Sequence, residues 1–479
     1  MTRYDAVVVG SGPNGLVAAN ALAAAGRSVL LVEAESTVGG GARTAELTLP
    51  GFRHDVCSAA HPLAAASPAM RAMGLDELGV RFLHGSAEFA HPMDDGPDVV
   101  VSRSLQATVE QLGPGGAGWR RLNRPFRTAG LDLVATVLDP LAIPAAPVAG
   151  GQFAATGALP ATVLARTLRS DAARAMLGGL AAHSMLDLAA PLTGGLAILL
   201  GSLAHLGGWP VVAGGSQELS DALAARFRAH GGEIVTDLRV RTRADLPPAR
   251  RVLLDVAPRD ALAILGDAAP PRYRRALDSF RHGAGVFKVD WALDGPIPWR
   301  DPRTGGAPTV HLGGSLAEVV ESEREVARGG HPDRPYVLLV QPGVADPSRA
   351  PVGKQTAWAY CHVPNGSRLD RTGVIERQVE RFAPGFADLI LARHTMDTAA
   401  VQAHDANHVG GDISGGALGL RQLVARPAWS LHPWRTPVPG VYLCSASTPP
   451  GPGVHGMCGW IAARTALADD DRGRHAGST

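Results

Sequence analysis

The chain has little cysteine, few aromatic residues and almost no net charge. Its four cysteines, Cys57, Cys361, Cys444 and Cys458, stand far apart. Neither a C-x-x-C pair nor zinc-ligand spacing is present, which excludes a disulfide framework and leaves four free thiols. Lys plus Arg number 45 against 44 for Asp plus Glu, so no global field attracts nucleic acid, which is set aside as a partner. Aromatic residues at 5% leave no dense cage for an amine. The amino terminus has no apolar run of signal length, and a cytoplasmic location is the expectation. Residues 188–217 carry no Asp, Glu, Lys or Arg, but Pro191, Pro210 and repeated glycines interrupt them. That argues against a spanning helix and leaves peripheral membrane contact open.

Glycine and proline are plentiful, at 58 and 37 of 479 residues, and 46% of the chain is hydrophobic. This is the balance of a compact glycine-rich enzyme with at least two packed domains. Residues 4–10 read as a strand, 14–25 as a helix with Leu16, Val17, Ala19 and Leu22 at helical spacing, and 29–32 as a second strand, a βαβ unit. The pattern returns where Ser216 is placed to cap a helix carrying Leu219, Leu223 and Phe227, before Gly231-Gly232 and a strand at Ile234. It returns again as a strand at 441–444, a Gly/Pro turn and a helix over 454–467. Three α/β fragments so far apart predict a discontinuous Rossmann-like domain of residues 1–70, 211–280 and 431–470. A mixed-sheet and helical substrate domain would take 71–210 and 281–430, with a flexible tail at 471–479.

The strongest motif is Gly10-Ser11-Gly12-Pro13-Asn14-Gly15, after the first strand and at the start of the first helix. Gly10 permits the tight turn, Gly12 lets the backbone approach a pyrophosphate, and Gly15 allows close helix-to-strand packing. Glu33 ends the second strand, where its carboxylate can accept bonds from an adenosine ribose. The loop Val38-Gly39-Gly40-Gly41-Ala42-Arg43-Thr44 follows, with exposed backbone donors and an Arg43 able to neutralise phosphate. Near the end, Gly453 and the N–H groups of Val454 to Gly456 open a helix where they could stabilise negative charge on a reduced flavin. An ordinary strand-to-helix turn fits that stretch equally well.

These motifs, with Gly51-Phe52-Arg53-His54-Asp55, Gly214-Gly215-Ser216, the run from Lys288 to Pro296, His362-Val363-Pro364, Gly410-Gly411-Asp412-Ile413 and the closing segment from Gly440 to Met457, resemble the phytoene desaturase and pyridine nucleotide-disulfide oxidoreductase-domain-containing flavoprotein family, itself related to flavin amine oxidases. The resemblance implies one noncovalent FAD, held by Gly10, Gly12, Pro13, Asn14, Gly15, Glu33, Ala34, Gly40, Gly41, Arg43 and Thr44. It adds Val240 against the adenine, and Ser445, Gly453, Val454 and His455 near the flavin. Ser445 stands where a glycine is more usual. His455 could orient substrate or stabilise reduced flavin, and His362 falls in the substrate region. Lys288 reads either as part of a solvated strand face or, by analogy with amine oxidases, as a lysine beside flavin N5 or the substrate.

His404, Asp405, Asn407, His408 and Asp412 lack the frame of a metal motif, and no metal is expected. No G-x-S-x-G turn supports a hydrolase. The expected activity is hydride abstraction from a largely apolar organic molecule, desaturation first, with oxygen, a quinone or another acceptor taking the electrons. A flavin amine oxidase and an FAD-stabilised interaction protein are the rivals. Only one complete nucleotide clamp is present, so nicotinamide is not expected to serve substrate oxidation.

Overall fold

In the computed structural model the described residues are 4–140 and 143–476. Short β-branched runs form a five-stranded sheet of β1 (Tyr4–Val9), β2 (Val29–Val32), β3 (Glu233–Val235), β4 (Ala249–Leu254) and β5 (Val441–Leu443), in the order β5-β4-β1-β2-β3. All four pairings are parallel. Alternation along β1 sends Ala6 and Val8 into one core and Val7 and Val9 into another, the period-2 signature of a sheet covered on both faces. Helices α1 (Pro13–Ala24), α2 (Ser216–Ala229) and α3 (Met457–Ala476) cover the first face. Ala261, Ile264 and Leu277, from the helices Pro258–Leu265 and Pro271–Asp278, cover the second.

A mixed seven-stranded sheet runs in the order Ile390–Met396, Gly285–Leu293, Gln355–Val363, Val337–Val340, Thr309–Leu312, Phe89–His91 and Val99–Val101. Leu338, Val340, Trp358 and Tyr360 point from it into the core shared with α1 and the helical region. Phe287, Val289, Trp291 and Ala359 point into a separate core closed by the helix Thr372–Phe382. The uncharged stretch 188–217 contains a helix, Thr193–Leu206, of 14 residues. No described helix is long and apolar enough to cross a membrane.

Three local expectations need correction. Ser216 is the first residue of α2, not its cap: its N–H donates to Asp55 Oδ1 at 2.8 Å and its hydroxyl to the Ser58 carbonyl. A buried carboxylate from elsewhere in the chain therefore does the capping. The last helix begins at Met457 and not at 454, because Gly453 and Gly456, with φ of +125° and +66°, turn the chain through a left-handed bend first. It also runs on through Ala476, into the stretch expected as a tail, while residues 477–479 lie outside the described ones.

Helices α1 and α3 cross at Gly459, where a Cβ would collide with the Asn14 carbonyl oxygen. Gly459→Ala should therefore destabilise the protein by about 1–3 kcal/mol through overpacking, outweighing the ~1 kcal/mol that alanine offers in a helix. Denaturant unfolding would measure it, and a variant as stable as the parent would contradict this close crossing.

Candidate functional site

The β1–α1 turn is shaped by contact with no side chain in the way. Gly10 has φ +96°, and a Cβ there would lie 2.6 Å from the Asp255 carbonyl oxygen. A Cβ at Gly15 would collide with the Gly10 carbonyl, so the helix begins directly against the strand end. The second glycine loop folds onto the first, and a Cβ at Gly40 would sit 2.9 Å from Gly12 Cα. Glu33 ties the pieces together. Its Oε2 accepts from the Ser11 N–H at 2.9 Å and the Ser11 hydroxyl at 2.5 Å, its Oε1 accepts from the Glu35 N–H at 2.9 Å, and Arg43 Nη2 stands 3.7 Å away. Arg43 also donates to the His404 carbonyl. Asp237 and Leu238 bond the backbone carbonyls of Glu35 and Glu33. The segment leading to Val240 thus runs beside Ala34, and Val240 itself packs on the second core of the parallel sheet.

A cavity of about 330 Å³ opens on this turn. Gly12, Pro13, Asn14 and Gly41 border it at one end, with Ser445, Gly453 and Val454 from the closing segment. Its other wall is the seven-stranded sheet and the helical region, through Leu196, Leu200, Trp209, Leu338, Trp358 and Tyr360. The structure thus brings seven of the expected cofactor residues to one space. Gly10, Gly15, Glu33, Gly40 and Arg43 stand behind them as supports. Thr44 accepts from the Gln217 N–H and donates to Asp55, holding the start of α2.

A dinucleotide fits this end of the cavity on the molecule's own features. Gly12, Pro13 and Asn14 border it, Gly12 with no side chain of its own, and buried Asn14 Oδ1 has no hydrogen-bond partner among the described residues. The residues that would hold the diphosphate are Gly12, Asn14, Gly41 and Arg43.

The expected chemical residues are placed differently. His455 is fully buried, and its Nδ1 accepts from the Met457 N–H while Nε2 faces the Gly451 carbonyl at 3.2 Å. Both ring nitrogens serve the turn before α3, burial pushes the imidazole down to about 4, and the ring does not border the cavity. Lys288 is not on a solvated face, since every residue of its strand is buried. Its ammonium is paired with Asp290 and lies 5.0 Å from the Trp358 ring, one layer behind the cavity wall. His362 is buried against Glu323, Nδ1 to Oε2 at 2.7 Å.

The residues weighed as a metal cluster separate. Asp412 accepts from the N–H groups of Gly283, Ser414 and Gly416. Asp405, Asn407 and His408 instead border the cavity. The Asn407 amide brackets Asp255, accepting from the Ala257 N–H at 2.7 Å and donating to the Asp255 carbonyl at 3.1 Å.

Three cavity or domain-joining residues, His183, Asp55 and Asp255, were given no role by the sequence reading. His183 borders the cavity and contacts His311, Nε2 to Nε2 at 3.0 Å. Burial pushes His183 down to about 3, with His362 adding to the shift. Asp55 joins the halves: buried, it accepts from Thr44 and Ser216 and pairs with Arg349 Nη2 at 2.5 Å. Asp255 accepts the Gly15 N–H on Oδ2 at 2.8 Å. The sequence signals for Asp255 are its place at the end of the run Arg251 to Asp255 and the asparagine that the resembled family often shows there, and they assign it no catalytic role.

Comparison with known proteins agrees with this arrangement. Residues 8–76 match the family model of the NAD(P)-binding Rossmann-like domain. Pyridine nucleotide-disulfide oxidoreductase domain-containing protein 2 of Rattus norvegicus is 26% identical, the alignment covering 98% of this chain and 94% of that protein. Phytoene desaturase (lycopene-forming) of a Paracoccus species is 23% identical over 56% of each chain. The structure of putrescine oxidase bound to putrescine superposes with a TM-score of 0.63 at 19% identity, covering 98% of this chain and 99% of that one. The resemblance and the α/β Rossmann-like fold read from the sequence are both borne out.

Lys288→Met would leave Asp290 buried without its main counter-charge. Since breaking a buried pair on one side costs about 3–5 kcal/mol, the variant should lose about that much stability, and Lys288→Met combined with Asp290→Leu should recover most of it. A single-variant loss below about 1 kcal/mol, the value of an exposed pair, would show that the pair is not shielded from water.

Proposed function

We infer from this kinship and from the cavity that the chain is an FAD-dependent oxidoreductase that abstracts hydride from a largely apolar organic molecule, desaturation or dehydrogenation being the preferred reaction. The observation that carries this is a single space with a glycine-lined dinucleotide end and an apolar wall from a second sheet. A bound flavin would supply the two-electron chemistry. The chain's own residues do the rest. Gly12, Asn14, Gly41 and Arg43 hold the diphosphate, Glu33 and the Val240 segment the adenosine, and Ser445 with Gly453 and Val454 the closing side. Leu196, Leu200, Trp209 and Trp358 exclude water from an apolar substrate. The domain division at 1–70, 211–280 and 431–470 against 71–210 and 281–430 belongs to the same proposal.

Attachment is noncovalent in this reading. Cys57 is the cysteine at the cavity, and burial holds its thiol up at about 12, with Asp405 adding to the shift, so it is no ready nucleophile. Oxygen, a quinone or another acceptor would take the electrons. The amine-oxidase alternative has the fold of putrescine oxidase in its favour. Against it, His183 on the substrate wall is held neutral, and the buried hydroxyl of Thr309 and indole N–H of Trp358 there have no partner among the described residues. Neutral groups offer an ammonium no counter-charge. Lys288 is a positioning residue in this proposal, acting through Trp358.

Acid precipitation should release one FAD per chain into the supernatant. Glu33→Ala should weaken FAD binding by about 1.5–3 kcal/mol, the worth of a hydrogen bond to a charged group, and cofactor titration showing unchanged affinity would refute the ribose assignment. For electron flow, anaerobic stopped-flow spectroscopy should show bleaching of the oxidised-flavin band by an apolar alkene precursor without added nicotinamide. Rapid stoichiometric reduction by NADH or NADPH would reverse the assigned direction, and selective reduction by amines would move the assignment to the amine oxidases.

A further inference from the structure

Three carboxylates, Asp255, Asp405 and Glu33, converge on the start of α1, and they are not balanced by cations. Asp255 is buried, borders the cavity, and accepts the Gly15 N–H at 2.8 Å. Its Oδ2 lies 3.1 Å from where a Gly12 Cβ would stand. The carboxylate therefore sits on the helix-terminal donors that a diphosphate uses. Asp405 reaches the same point from the segment after the helix Thr398–His404, with Oδ2 3.3 Å from a Cβ built on Gly40. Glu33 approaches from the end of β2. Of the nearby basic side chains, the Arg43 guanidinium stands 3.7 Å from Glu33 and the His408 imidazole 3.8 Å from Asp405. His404 adds a buried imidazole whose proton affinity is lowered, first by burial and then by Arg43. On the remaining side stand Cys444, after β5, and Cys458 of α3, both with thiol pKa values raised by burial. Among the described residues no cation pairs with Asp255.

A diphosphate arriving here brings two negative charges to a point where an ionised Asp255 would already stand. A second feature marks the point as a ligand site: Asn14, a residue 6% exposed, borders the cavity, and its buried Oδ1 has no partner among the described residues. We propose that Asp255 must be protonated for the cofactor diphosphate to seat, so that binding of FAD takes up one proton at this carboxyl. The inference rests on the FAD reading above. Two observations support it beyond the crowding. Burial, and then Asp405 and Glu33, raise this carboxyl to about 8 against the opposing Gly15 bond. Asn407 holds the Asp255 carbonyl through one hydrogen bond and the Ala257 N–H through another, and the Gly15 N–H holds the carboxyl itself.

The sign follows from linkage. A group that is protonated in the complex and ionised in the free protein makes binding weaken as pH rises through its free value. Below that value both states carry the proton and affinity is flat.

The test is FAD titration of the apoprotein from pH 7 to 9.5, with calorimetry at pH 9 in two buffers of different ionisation enthalpy. Above pH 8 the dissociation constant should rise about tenfold per pH unit, the slope of one linked proton, and calorimetry should find close to one proton taken up per FAD. Asp255→Asn should remove both the slope and the uptake while still binding FAD. Wild-type binding that is flat in pH and takes up no proton overturns the inference and leaves the FAD assignment standing. A slope and uptake that persist in Asp255→Asn assign the proton elsewhere and overturn it as well. If neither protein binds FAD at any pH, the proposed function fails, and the inference with it.

Discussion

The contact on which the site depends is the one between the end of β1 and the start of α1, where Gly15 lies against the Gly10 carbonyl with no side chain between them. A strand and a helix ordinarily stand apart by the thickness of their side chains. Removing the side chain at this crossing brings the helix terminus, with its unpaired N–H groups and positive end, to the carboxyl edge of the sheet. From there the other parts are placed by contact. The 39–41 loop lies on Gly12, α3 crosses α1 at Gly459, and the closing segment lines the same cavity.

The second constraint is electrostatic and ties together segments that are distant in the chain. Asp55, from a short strand after the glycine loops, reaches Arg349 in the turn Pro347–Arg349, and both side chains are almost fully buried. Lys288 and Asp290 form another shielded pair, with His54 3.7 Å and His394 3.3 Å from the carboxylate. Pairs of this kind add little net stability because desolvation offsets attraction. They do penalise misplacement strongly, since separating Asp55 from Arg349 would strand both charges in the interior. Such a penalty suits a cavity whose two walls come from different sheets.

These two constraints differ in how much of them can be read along the chain. The glycine clamp was legible because its residues are consecutive and each has a local steric reason. The βαβ periodicity was legible because the covered strands are short apolar runs. The capping of α2 was not: Ser216 has the right residue type, but Asp55, distant in sequence, takes the role. The histidine at 455 carried a plausible chemical identity, yet both its nitrogens are spent on the turn that delays the last helix to Met457. Asp405 and Asn407 looked like a loop or a weak metal motif because their partners, Gly40 and Asp255, are remote in the chain. What periodicity and spacing miss here are contacts made by side chains folded back across hundreds of residues.

The division of polarity inside the cavity is the remaining link between fold and chemistry. Its acidic groups, Asp255 and Asp405, border the end formed by the glycine turns at Gly12 and Gly41. The opposite wall is apolar, and its histidine is surrounded by Trp209 and His311, ring centroids 5.6 and 5.0 Å away. An ammonium placed on that wall would exchange water for neutral groups, at a desolvation cost that no carboxylate there offsets. A hydrocarbon would exchange water for Leu196, Leu200 and Trp209 and gain by it. The fold is compatible with either kind of donor, as its resemblance to putrescine oxidase illustrates. Under the proposed function, the selection between them therefore lies in the charge of one wall and not in the architecture that carries it.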